Sequence, residues 1–367
     1  MIAGDTDKLR VFNVQMNSKP DCQPATGGLK ISFTESIWLK KIMLMIKIKI
    51  TRSIWFTLFV LSAIFAGVTD ADAQVKKVSH YINSGTPEGL REIFSYKNDR
   101  VPFLSSHRGG PEMHLPENHT VTFANTLKYT WSVMEVDPRY TKDSVIIVHH
   151  DPTLQRTTTG EGKVSDFTYR ELKKLRLRDM QGKPTRYKLQ TLKEMLEWAR
   201  GKTILVLDKK DVPIGERIRM VEECNAEAYV IVMAYSFDEA RQGYNLNKDI
   251  LMQVFINHPD KVAEFEKTGV PWENIVAFVS HQMPADSSVF NLINQKGALS
   301  ILGTSRNLDR EWITGKVTDI RDLQPGYNDL FIKGVDILET DIPVEVSKVV
   351  NKGIPIHPSK MKYFIKK

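Results

Sequence analysis

The sequence predicts an α/β protein, namely a single-domain (β/α)8 TIM barrel that follows a cleaved signal peptide. Three observations favour this fold. Short apolar runs rich in β-branched residues alternate with amphipathic stretches of helical period along most of the chain. About eight such units fill roughly 250 residues, the usual length of a closed barrel. No G-x-G-x-x-G or Walker sequence follows a candidate strand, which disfavours the open nucleotide-binding sheets.

The composition is that of a globular protein. The 367 residues are 41% hydrophobic and 26% charged, with 17 Pro and 21 Gly, which argues against a disordered, collagen-like or polytopic membrane chain. The net charge is +7, but no dense Lys/Arg tract accompanies it, so nucleic-acid binding is not expected. Two cysteines, Cys22 and Cys224, are too few for a disulfide framework.

The region before residue 74 has the pattern of an export signal. Residues 54–68 carry no charge, a basic stretch with Lys47 and Arg52 precedes them, and the small-residue site Ala71-Asp72-Ala73 follows. The apolar run is shorter than the roughly 20 residues that cross a bilayer. We therefore expect cleavage before Gln74 and no stable membrane anchor afterwards.

The expected organisation follows from that cleavage site. Residues 1–42 are expected to be a spurious or disordered extension, 43–73 the signal peptide, 74–99 an N-terminal segment, 100–353 the barrel and 354–367 a C-terminal tail. Translation is expected to start at Met43 or Met45. The mature chain then contains Cys224 alone and no internal disulfide, and an exported protein of this kind fits the periplasm of a Gram-negative bacterium.

The elements of the barrel can be assigned in chain order. Candidate strands are residues 102–106, 132–136, 145–149, 203–207, 228–235, 251–256, 275–280, 298–303 and 335–339. Candidate helices are residues 191–200, 215–225, 237–245, 260–268, 286–296, 322–333 and 344–351. Several of these helices are followed by glycine, which is common just beyond a helix C-terminus.

Titratable residues collect where the candidate strands end, which is the active-site face of such barrels. Glu135 and Asp137 lie two apart in one strand and therefore share a face. Two adjacent carboxylates repel each other unless a cation lies between them, and a hard divalent cation (Ca²⁺, Mg²⁺ or Mn²⁺) prefers such oxygen ligands. Asp208 ends another strand and is a candidate third ligand. The alternative is a salt bridge to Arg or Lys.

Basic residues occupy other strand ends. His107 and His150 are candidates for general acid–base catalysis, and Asp151 follows His150 directly. Arg108 offers a planar fork suited to phosphate, and Lys210 is a candidate second phosphate contact. The alternative for His107 is a packed histidine in a tight turn made by the glycines after Arg108.

Further titratable residues at later strand ends are His258, His281 and Asp341. The glycines that follow Arg108 are expected to let the backbone approach a ligand closely.

Four stretches together resemble the glycerophosphodiester phosphodiesterase family. They are SHRGGPEMHLPENHTVTFANTL (residues 106–127), MEVDPRYTKDSVIIVHHDPTLQRTTTGEGKVSDFTYRELKKL (134–175), ILVLDKK (204–210) and GVDILETDIP (334–343). H-R-G alone is a weak signal, but the ordered set is specific and covers nearly the whole mature chain. The resemblance implies a (β/α)8 barrel that hydrolyses phosphodiesters with a divalent cation.

The resemblance also implies roles for single residues. His107 and His150 match the two catalytic histidines, and Glu135 and Asp137 match metal ligands. Arg108 matches a phosphate contact, Lys210 matches the family's Lys, and Glu117 and Asn118 belong to the loop that shapes the site. Asp208 stands where the family usually has Glu. Residues 302–307 read LGTSRN where the family often has a Trp-containing W-T-V-N, so the alcohol-binding wall is expected to differ. His149 is expected to be structural.

The expected reaction yields glycerol 3-phosphate and an alcohol from a small-molecule phosphodiester. Water or a neighbouring glycerol hydroxyl could attack, and either histidine could be the acid. One alternative is a related barrel phosphodiesterase that acts on another phospholipid-derived or phosphoinositide-type diester. An exposed apolar loop beside the mouth would favour it, but residues 157–170 are polar. Another is a non-catalytic protein that binds glycerol phosphate, although both motif histidines are present.

Overall fold

A computed structural model of the protein describes residues 78–99, 103–350 and 357–367. The expected signal peptide, its cleavage site and the extension before it lie outside the described residues and stay predictions. Within the described part of the chain, no helix combines the length and the apolar character needed to cross a membrane.

The described chain forms twelve strands and eleven α-helices. The strands are β1 (His80–Ile82), β2 (Leu104–Ser106), β3 (Ser132–Val136), β4 (Pro138–Tyr140), β5 (Ile146–Val148), β6 (Leu205–Leu207), β7 (Val230–Ala234), β8 (Leu251–Phe255), β9 (Ile275–Ser280), β10 (Ser300–Gly303), β11 (Ile337–Thr340) and β12 (Phe364–Lys366). The helices are α1 (Pro87–Phe94), α2 (Thr120–Thr126), α3 (Tyr169–Leu172), α4 (Leu192–Ala199), α5 (Ile214–Glu223), α6 (Phe237–Leu246), α7 (Pro259–Glu266), α8 (Ser288–Gln295), α9 (Leu308–Ile313), α10 (Gln324–Ile332) and α11 (Pro343–Val350).

Eight parallel strands close into a barrel in chain order: β2, β3, β6, β7, β8, β9, β10, β11 and back to β2. The (β/α)8 fold expected from the sequence is therefore confirmed. Alternate residues of each strand point inward and outward. The inward residues, such as Val206 and Phe278, form a core inside the barrel. The outward residues, such as Leu205 and Ala277, pack against the surrounding helices.

The amphipathic helices cover the barrel as their periodicity predicts. In α4 the side chains of Leu192, Met195, Leu196 and Ala199 are all buried. The Thr191 side chain caps the helix and the Glu194 side chain reaches back to the cap backbone, so two orphan backbone donors are satisfied at its N-terminus. Helix α4 thus begins one residue after the predicted start.

The N-terminal segment and the C-terminal tail together close the bottom of the barrel. Strands β1 and β12 pair in an antiparallel manner. The backbone N–H of Ile82 donates to the carbonyl of Lys202, just before β6 (3.0 Å), and Leu299, just before β10, donates to Phe94 in α1 (3.1 Å). These contacts all lie at the starts of barrel strands, so the opposite end remains the open face.

One candidate strand does not belong to the barrel. Residues 145–149 form β5, which pairs with β4 in an antiparallel hairpin between β3 and β6. Its Ile147 belongs to a separate small core with Leu154 and Leu172. The run looked like a barrel strand because it is apolar and β-branched, but it buries its residues in this excursion. The excursion brings His150 to the mouth of the barrel.

Candidate active site

A tight turn after β2 presents the first two basic residues of the site. Arg108 has φ 52°, and the glycines Gly109 and Gly110 have φ 85° and 67°. A Cβ on Gly109 would lie 2.2 Å from the Phe123 ring, and one on Gly110 would lie 2.1 Å from Pro343. The glycines are therefore required by the positive φ and by packing against these two neighbours. Close approach of this backbone to a ligand stays a prediction.

Three buried carboxylates converge at the carboxyl ends of β3 and β6. Ligand oxygens of Glu135, Asp137 and Asp208 lie within 4.8 Å of one another. Glu135 is the fourth residue of β3 and Asp137 follows its end, whereas the Asp208 backbone N–H donates to Val136 (3.0 Å). Burial and the neighbouring Asp137 raise the pKa of Glu135 to about 8. The three carboxylates therefore repel one another, and the neighbouring positive groups do not fully offset this repulsion.

This donor set fits a hard divalent cation. Calcium accepts carboxylate oxygens at about 2.3–2.6 Å, so two ligands on opposite sides of such an ion are about 4.8 Å apart. In the structure the Lys210 ammonium donates to Asp208 and lies 2.8 Å from Asp137 Oδ1. The salt bridge to Lys that was the alternative to a cation is thus present. However, the single Lys210 ammonium is shared by Asp137 and Asp208 and forms no salt bridge with Glu135.

Three donors hold the Asp208 carboxylate. They are the Tyr235 hydroxyl, the Lys210 ammonium and the Lys209 backbone N–H, the last at 2.6 Å. Burial alone would raise the pKa of Asp208, but these partners lower it overall. Tyr235 therefore supports the shorter carboxylate at the position where the sequence family usually has Glu.

His107 lies between two carboxyl groups. Its Nδ1 donates to Asp341 Oδ1 at 2.5 Å, and its Nε2 is 3.6 Å from Glu135 Oε2. Burial alone would lower the pKa of His107, but the charge of Glu135 and the hydrogen bond to Asp341 outweigh it and raise the pKa to about 10. These two carboxyl neighbours therefore favour the protonated form of the ring.

The pKa of His150 is shifted in the opposite direction. Its Nδ1 donates to Asp151 Oδ1 at 2.7 Å, which leaves Nε2 as the acceptor of the neutral ring. Burial lowers the pKa of His150 from 6.5, although the charge of Asp137 works against this. His149 is buried, donates from Nδ1 to the Asp151 carbonyl (2.8 Å) and accepts from Thr157 (2.8 Å), so it holds the loop that carries His150.

A chain of charged side chains links the two histidine loops. Arg156 donates to both oxygens of Glu117 (2.7 and 2.8 Å) and to Asp151 (2.6 Å). Arg108 donates to Glu117 at 3.2 Å, and its backbone N–H donates to Glu135 (2.8 Å). Arg108 thus lies at the mouth as expected, paired with Glu117. Its contact with phosphate stays a prediction.

The family follows from comparison with known proteins. Residues 107–311 match the model of the glycerophosphoryl diester phosphodiesterase family. A glycerophosphoryl diester phosphodiesterase of known structure from Parabacteroides distasonis is 37% identical, with a TM-score of 0.74 over 79% of this chain and 100% of that chain. This chain belongs to the glycerophosphoryl diester phosphodiesterase family. It is therefore a phosphoric diester hydrolase.

One further relative agrees with this assignment, and a more distant solved structure shares the fold. The glycerophosphodiester phosphodiesterase of Caldanaerobacter subterraneus is 27% identical over 254 residues, which are 68% of this chain and 97% of that protein. An Oleispira antarctica phosphodiesterase, solved in complex with the product sn-glycerol-3-phosphate, has the same fold. It is 17% identical, with a TM-score of 0.51 over 69% of this chain and 98% of that chain.

Sequence reasoning missed several residues of this phosphodiesterase site. Asp341 was noted at a strand end but not assigned to the site, and Tyr235 and Arg156 were not singled out. Glu339, inside the end of β11, is buried and has its pKa raised to about 7 by burial. It lies 3.9 Å from His281. Tyr235 lies near a strand end, whereas Arg156, Glu339 and Asp341 lie in the stretches 134–175 and 334–343 that resemble the family.

The two remaining strand-end histidines, His258 and His281, have different surroundings. His258 is the N-cap of α7 and is exposed, so it lies outside the cluster. Asn307, in the segment that departs from the family pattern, donates to the His281 carbonyl at 2.9 Å. A Cβ on Gly303 would lie 2.3 Å from the His281 ring. The glycine therefore makes room for this histidine beside Glu339.

Proposed function

We propose that this phosphodiesterase converts glycerophosphodiesters to glycerol 3-phosphate and an alcohol, with a divalent cation and two histidines of different protonation. The observation that carries the proposal is the meeting of the Glu135, Asp137 and Asp208 carboxylates with His107 and His150 at one barrel mouth. The same product, sn-glycerol-3-phosphate, is bound by the Oleispira phosphodiesterase.

Glu135, Asp137 and Asp208 would hold the cation. When bound, it would neutralise phosphate oxygens and the negative charge that develops on them. The all-oxygen ligand set favours Ca²⁺, Mg²⁺ or Mn²⁺ over Zn²⁺. Arg108 and Lys210 add positive charge beside these carboxylates and would contact the phosphate.

The environments of the two histidines suggest their roles. Groups whose surroundings move their pKa values apart are suited to opposite steps of acid–base catalysis. His107, protonated and oriented by Asp341, is the proposed acid that gives a proton to the leaving alkoxide. His150, neutral and oriented by Asp151, is the proposed base that takes a proton from the attacking oxygen at Nε2.

The test is release of glycerol 3-phosphate from glycerophosphocholine, glycerophosphoethanolamine and glycerophosphoglycerol. We expect turnover that EDTA abolishes and added Mg²⁺, Ca²⁺ or Mn²⁺ restores. The double variant Glu135→Ala/Asp137→Ala should remove this activity and keep the fold. Its matched control replaces the exposed carboxylates Glu88 and Asp238 by Ala. Full activity of the double variant in EDTA would contradict the role of the cation.

We also propose that the protein is exported to a periplasm. The support is the uncharged run 54–68 followed by Ala71-Asp72-Ala73. Mass spectrometry of protein from the native host should find Gln74 as the N-terminal residue. A membrane-bound species that keeps residues 54–73 would contradict cleavage.

A further inference from the structure

Asp309, in the first turn of α9, is a carboxylate that is fully buried in the folded protein. Its two oxygens accept hydrogen bonds from the Tyr327 hydroxyl (2.9 Å), the Thr340 hydroxyl (2.8 Å) and the backbone N–H of Asp341 (2.9 Å). Burial raises the pKa of Asp309, although these donors oppose the shift. An apolar side chain of similar size would avoid the desolvation cost of a buried charge. The carboxylate is therefore explained by the groups that it holds in place.

The residues just before Asp309 hold the same part of β11. The backbone N–H and the hydroxyl of Thr304 both donate to the Glu339 carbonyl, at 2.8 and 3.0 Å. The Asp309 backbone N–H donates to the Thr304 carbonyl at 3.1 Å, so the two residues form one unit. Thr304 belongs to the segment 302–307, which departs from the family pattern. This segment and α9 together fix the carboxyl end of β11.

Asp341, the first residue after β11, connects this support to the active site. Its backbone N–H is bound by Asp309, whereas its carboxylate accepts from His107 Nδ1 at 2.5 Å. The Thr340 hydroxyl that donates to Asp309 also accepts from the Ile342 backbone N–H at 3.1 Å. The backbone on both sides of Asp341 is thus fixed. Catalytic side chains need such support, because their productive geometry tolerates displacements of only about 0.5 Å.

We propose that Asp309 is a positioning residue of the phosphodiesterase. It fixes the backbone of Asp341, and Asp341 holds His107 in the orientation from which the ring gives its proton to the leaving alkoxide. The proposal rests on the proposed function, because it assigns a support to the proposed acid. Asp309 is fully buried and binds the backbone of Asp341, so it acts through that residue rather than on the substrate. It lies outside the four family-like stretches of the sequence.

A second buried carboxylate at the other end of β11 provides a matched control. Asp336 directly precedes the strand and is 1% exposed. It accepts from the backbone N–H and the hydroxyl of Ser300 (2.8 and 2.9 Å) and from the Asn294 amide (2.8 Å). Asp336 and Asp309 thus accept hydrogen bonds of the same kind and fix opposite ends of one strand. The end that Asp309 fixes carries Asp341, whereas the end that Asp336 fixes lies on the closed side of the barrel.

The first experiment compares kcat on glycerophosphocholine with kcat on the nitrophenyl ester of glycerol 3-phosphate, whose leaving group needs no proton, with Mg²⁺ or Ca²⁺ present. Asp309→Ala should lower kcat on glycerophosphocholine by about 10²-fold, the cost of a misplacement of about 1 Å, and should change KM little. On the nitrophenyl ester it should regain much of its rate. Asp336→Ala should lose stability and, below its unfolding transition, keep a near wild-type kcat on both esters. Equal losses of Asp309→Ala on both esters would overturn the proposal.

A double replacement tests whether Asp309 acts through Asp341. Residues that act through one another show non-additive effects. The double variant Asp309→Ala/Asp341→Ala should therefore be no slower on glycerophosphocholine than Asp341→Ala alone. Losses that multiply in the double variant would show that Asp309 acts independently of Asp341, and the proposal would be wrong.

Two milder replacements of Asp309 keep the proposal testable if the alanine variant does not fold. Asp309→Asn keeps an oxygen that can accept from Thr340 and Asp341, so it should retain most of the wild-type kcat. Asp309→Ser keeps a polar atom for the buried donors, but its hydroxyl is too short to reach the Asp341 N–H, so it should lose activity as Asp309→Ala does. Equal kcat values for the two variants would contradict the role of this contact.

A structural measurement distinguishes failure of this proposal from failure of the proposed function. If none of the diesters is hydrolysed, the proposed function is wrong, but NMR still tests the position of the His107 ring. The ring proton donated to Asp341 should give a low-field resonance, which His107→Asn identifies by its loss. This resonance should shift or vanish in Asp309→Ala or Asp309→Ser and should persist in Asp336→Ala. An unchanged resonance in the Asp309 variants would overturn the proposal.

Discussion

At the scale of single residues, the site shifts the pKa values of its two histidines in opposite directions. His107 faces Glu135 and Asp341, so its protonated form is stabilised. His150 has one carboxylate partner, Asp151, which is shared with Arg156, and burial favours its neutral form. The difference arises from neighbours on other strands and loops, and the histidines themselves carry no sequence signal that distinguishes acid from base.

The rate should therefore depend on pH as a bell. In the proposed mechanism activity needs neutral His150, so it should rise with pH through a value below 6.5, since burial lowers that pKa. Activity also needs protonated His107, so it should fall at or below about pH 10, with a bound cation moving this limb downward. The profile of kcat/KM against pH measures both limbs.

Single replacements should separate the two roles. His107→Asn and His150→Asn should each lower kcat by about 10²–10⁴-fold on glycerophosphocholine. On a nitrophenyl ester, whose leaving group needs no proton, His107→Asn should regain much of its rate and His150→Asn should not. The exposed His258→Asn is the matched control and should behave as the wild type. Equal residual rates for both site variants on both esters would contradict the assignment.

The buried Glu135 also affects the free energy of unfolding. In the folded state the pKa of Glu135 is raised from its usual 4.5 to about 8. The folded protein therefore holds this proton more tightly, and the resulting stability is lost as pH rises from 4.5 through 8. In EDTA, Glu135→Gln should gain stability relative to the wild type over this range, by at least about 1 kcal/mol at pH 8. Thermal unfolding between pH 4.5 and 8.5 measures the difference.

Addition of a divalent cation provides a second test of the role of Glu135 in stability. Millimolar Mg²⁺ or Ca²⁺ should raise the Tm of the wild type at pH 8 and should have little effect on Glu135→Gln. The exposed Asp238→Asn (85% side-chain exposure) serves as the control and should follow the wild type in both conditions. A variant that is no more stable than the wild type at pH 8 would argue that Glu135 is already neutralised by its neighbours.

At the scale of elements, period-two and helical patterns predict most of the barrel because each strand and helix buries one regular face. The same rule explains the carboxylate cluster, since Glu135 and Asp137 must share a face of one strand. It fails for β5, whose apolar run buries Ile147 in its own small core. It also gives no hint of the bond between His107 and Asp341, which are 234 residues apart and meet only when the barrel closes.

The turn after β2 is the element whose geometry is most constrained. Gly110→Ala places a Cβ at positive φ, which costs roughly 1–2 kcal/mol, and within 2.1 Å of Pro343. The overlap should add about 1–3 kcal/mol. Gly269→Ala is the matched control, since Gly269 has φ +74° and no atom within 4 Å of the added Cβ.

Thermal unfolding of the two glycine variants should therefore differ. Gly110→Ala should lose more stability than Gly269→Ala, and only Gly110→Ala should lose activity, because its turn carries His107 and Arg108. Equal Tm values would mean that Pro343 moves aside without cost. Full activity of Gly110→Ala would mean that the turn tolerates a shift without moving the two basic residues.

At the scale of the whole molecule, the two ends of the barrel have different roles. The open end carries the charged residues, with buried carboxylates whose mutual repulsion reduces stability. The closed end is sealed by α1, β1 and β12, where Phe364 packs against Phe103 and Trp131. From the sequence the last residues are expected to be only a tail, because a three-residue strand carries too little pattern to reveal its antiparallel partner about 280 positions earlier.

This division predicts that stability and activity can be changed separately from the closed end. Phe364 is 4% exposed, whereas Ile365, its neighbour in the same strand, is 37% exposed on the other face. Phe364→Ala should lower the free energy of unfolding by about 3–5 kcal/mol. Ile365→Ala, the matched control, should change it by less than about 1 kcal/mol. Chemical denaturation of both variants measures the difference.

The same variants should leave the chemistry intact. Below its unfolding transition, Phe364→Ala should keep a near wild-type kcat on glycerophosphocholine, because the carboxylates and histidines lie at the opposite ends of the strands. A large loss of kcat in fully folded Phe364→Ala would show that packing at the closed end is transmitted along the strands to the site. Equal stability of the two variants would show that β12 contributes little to closing the barrel.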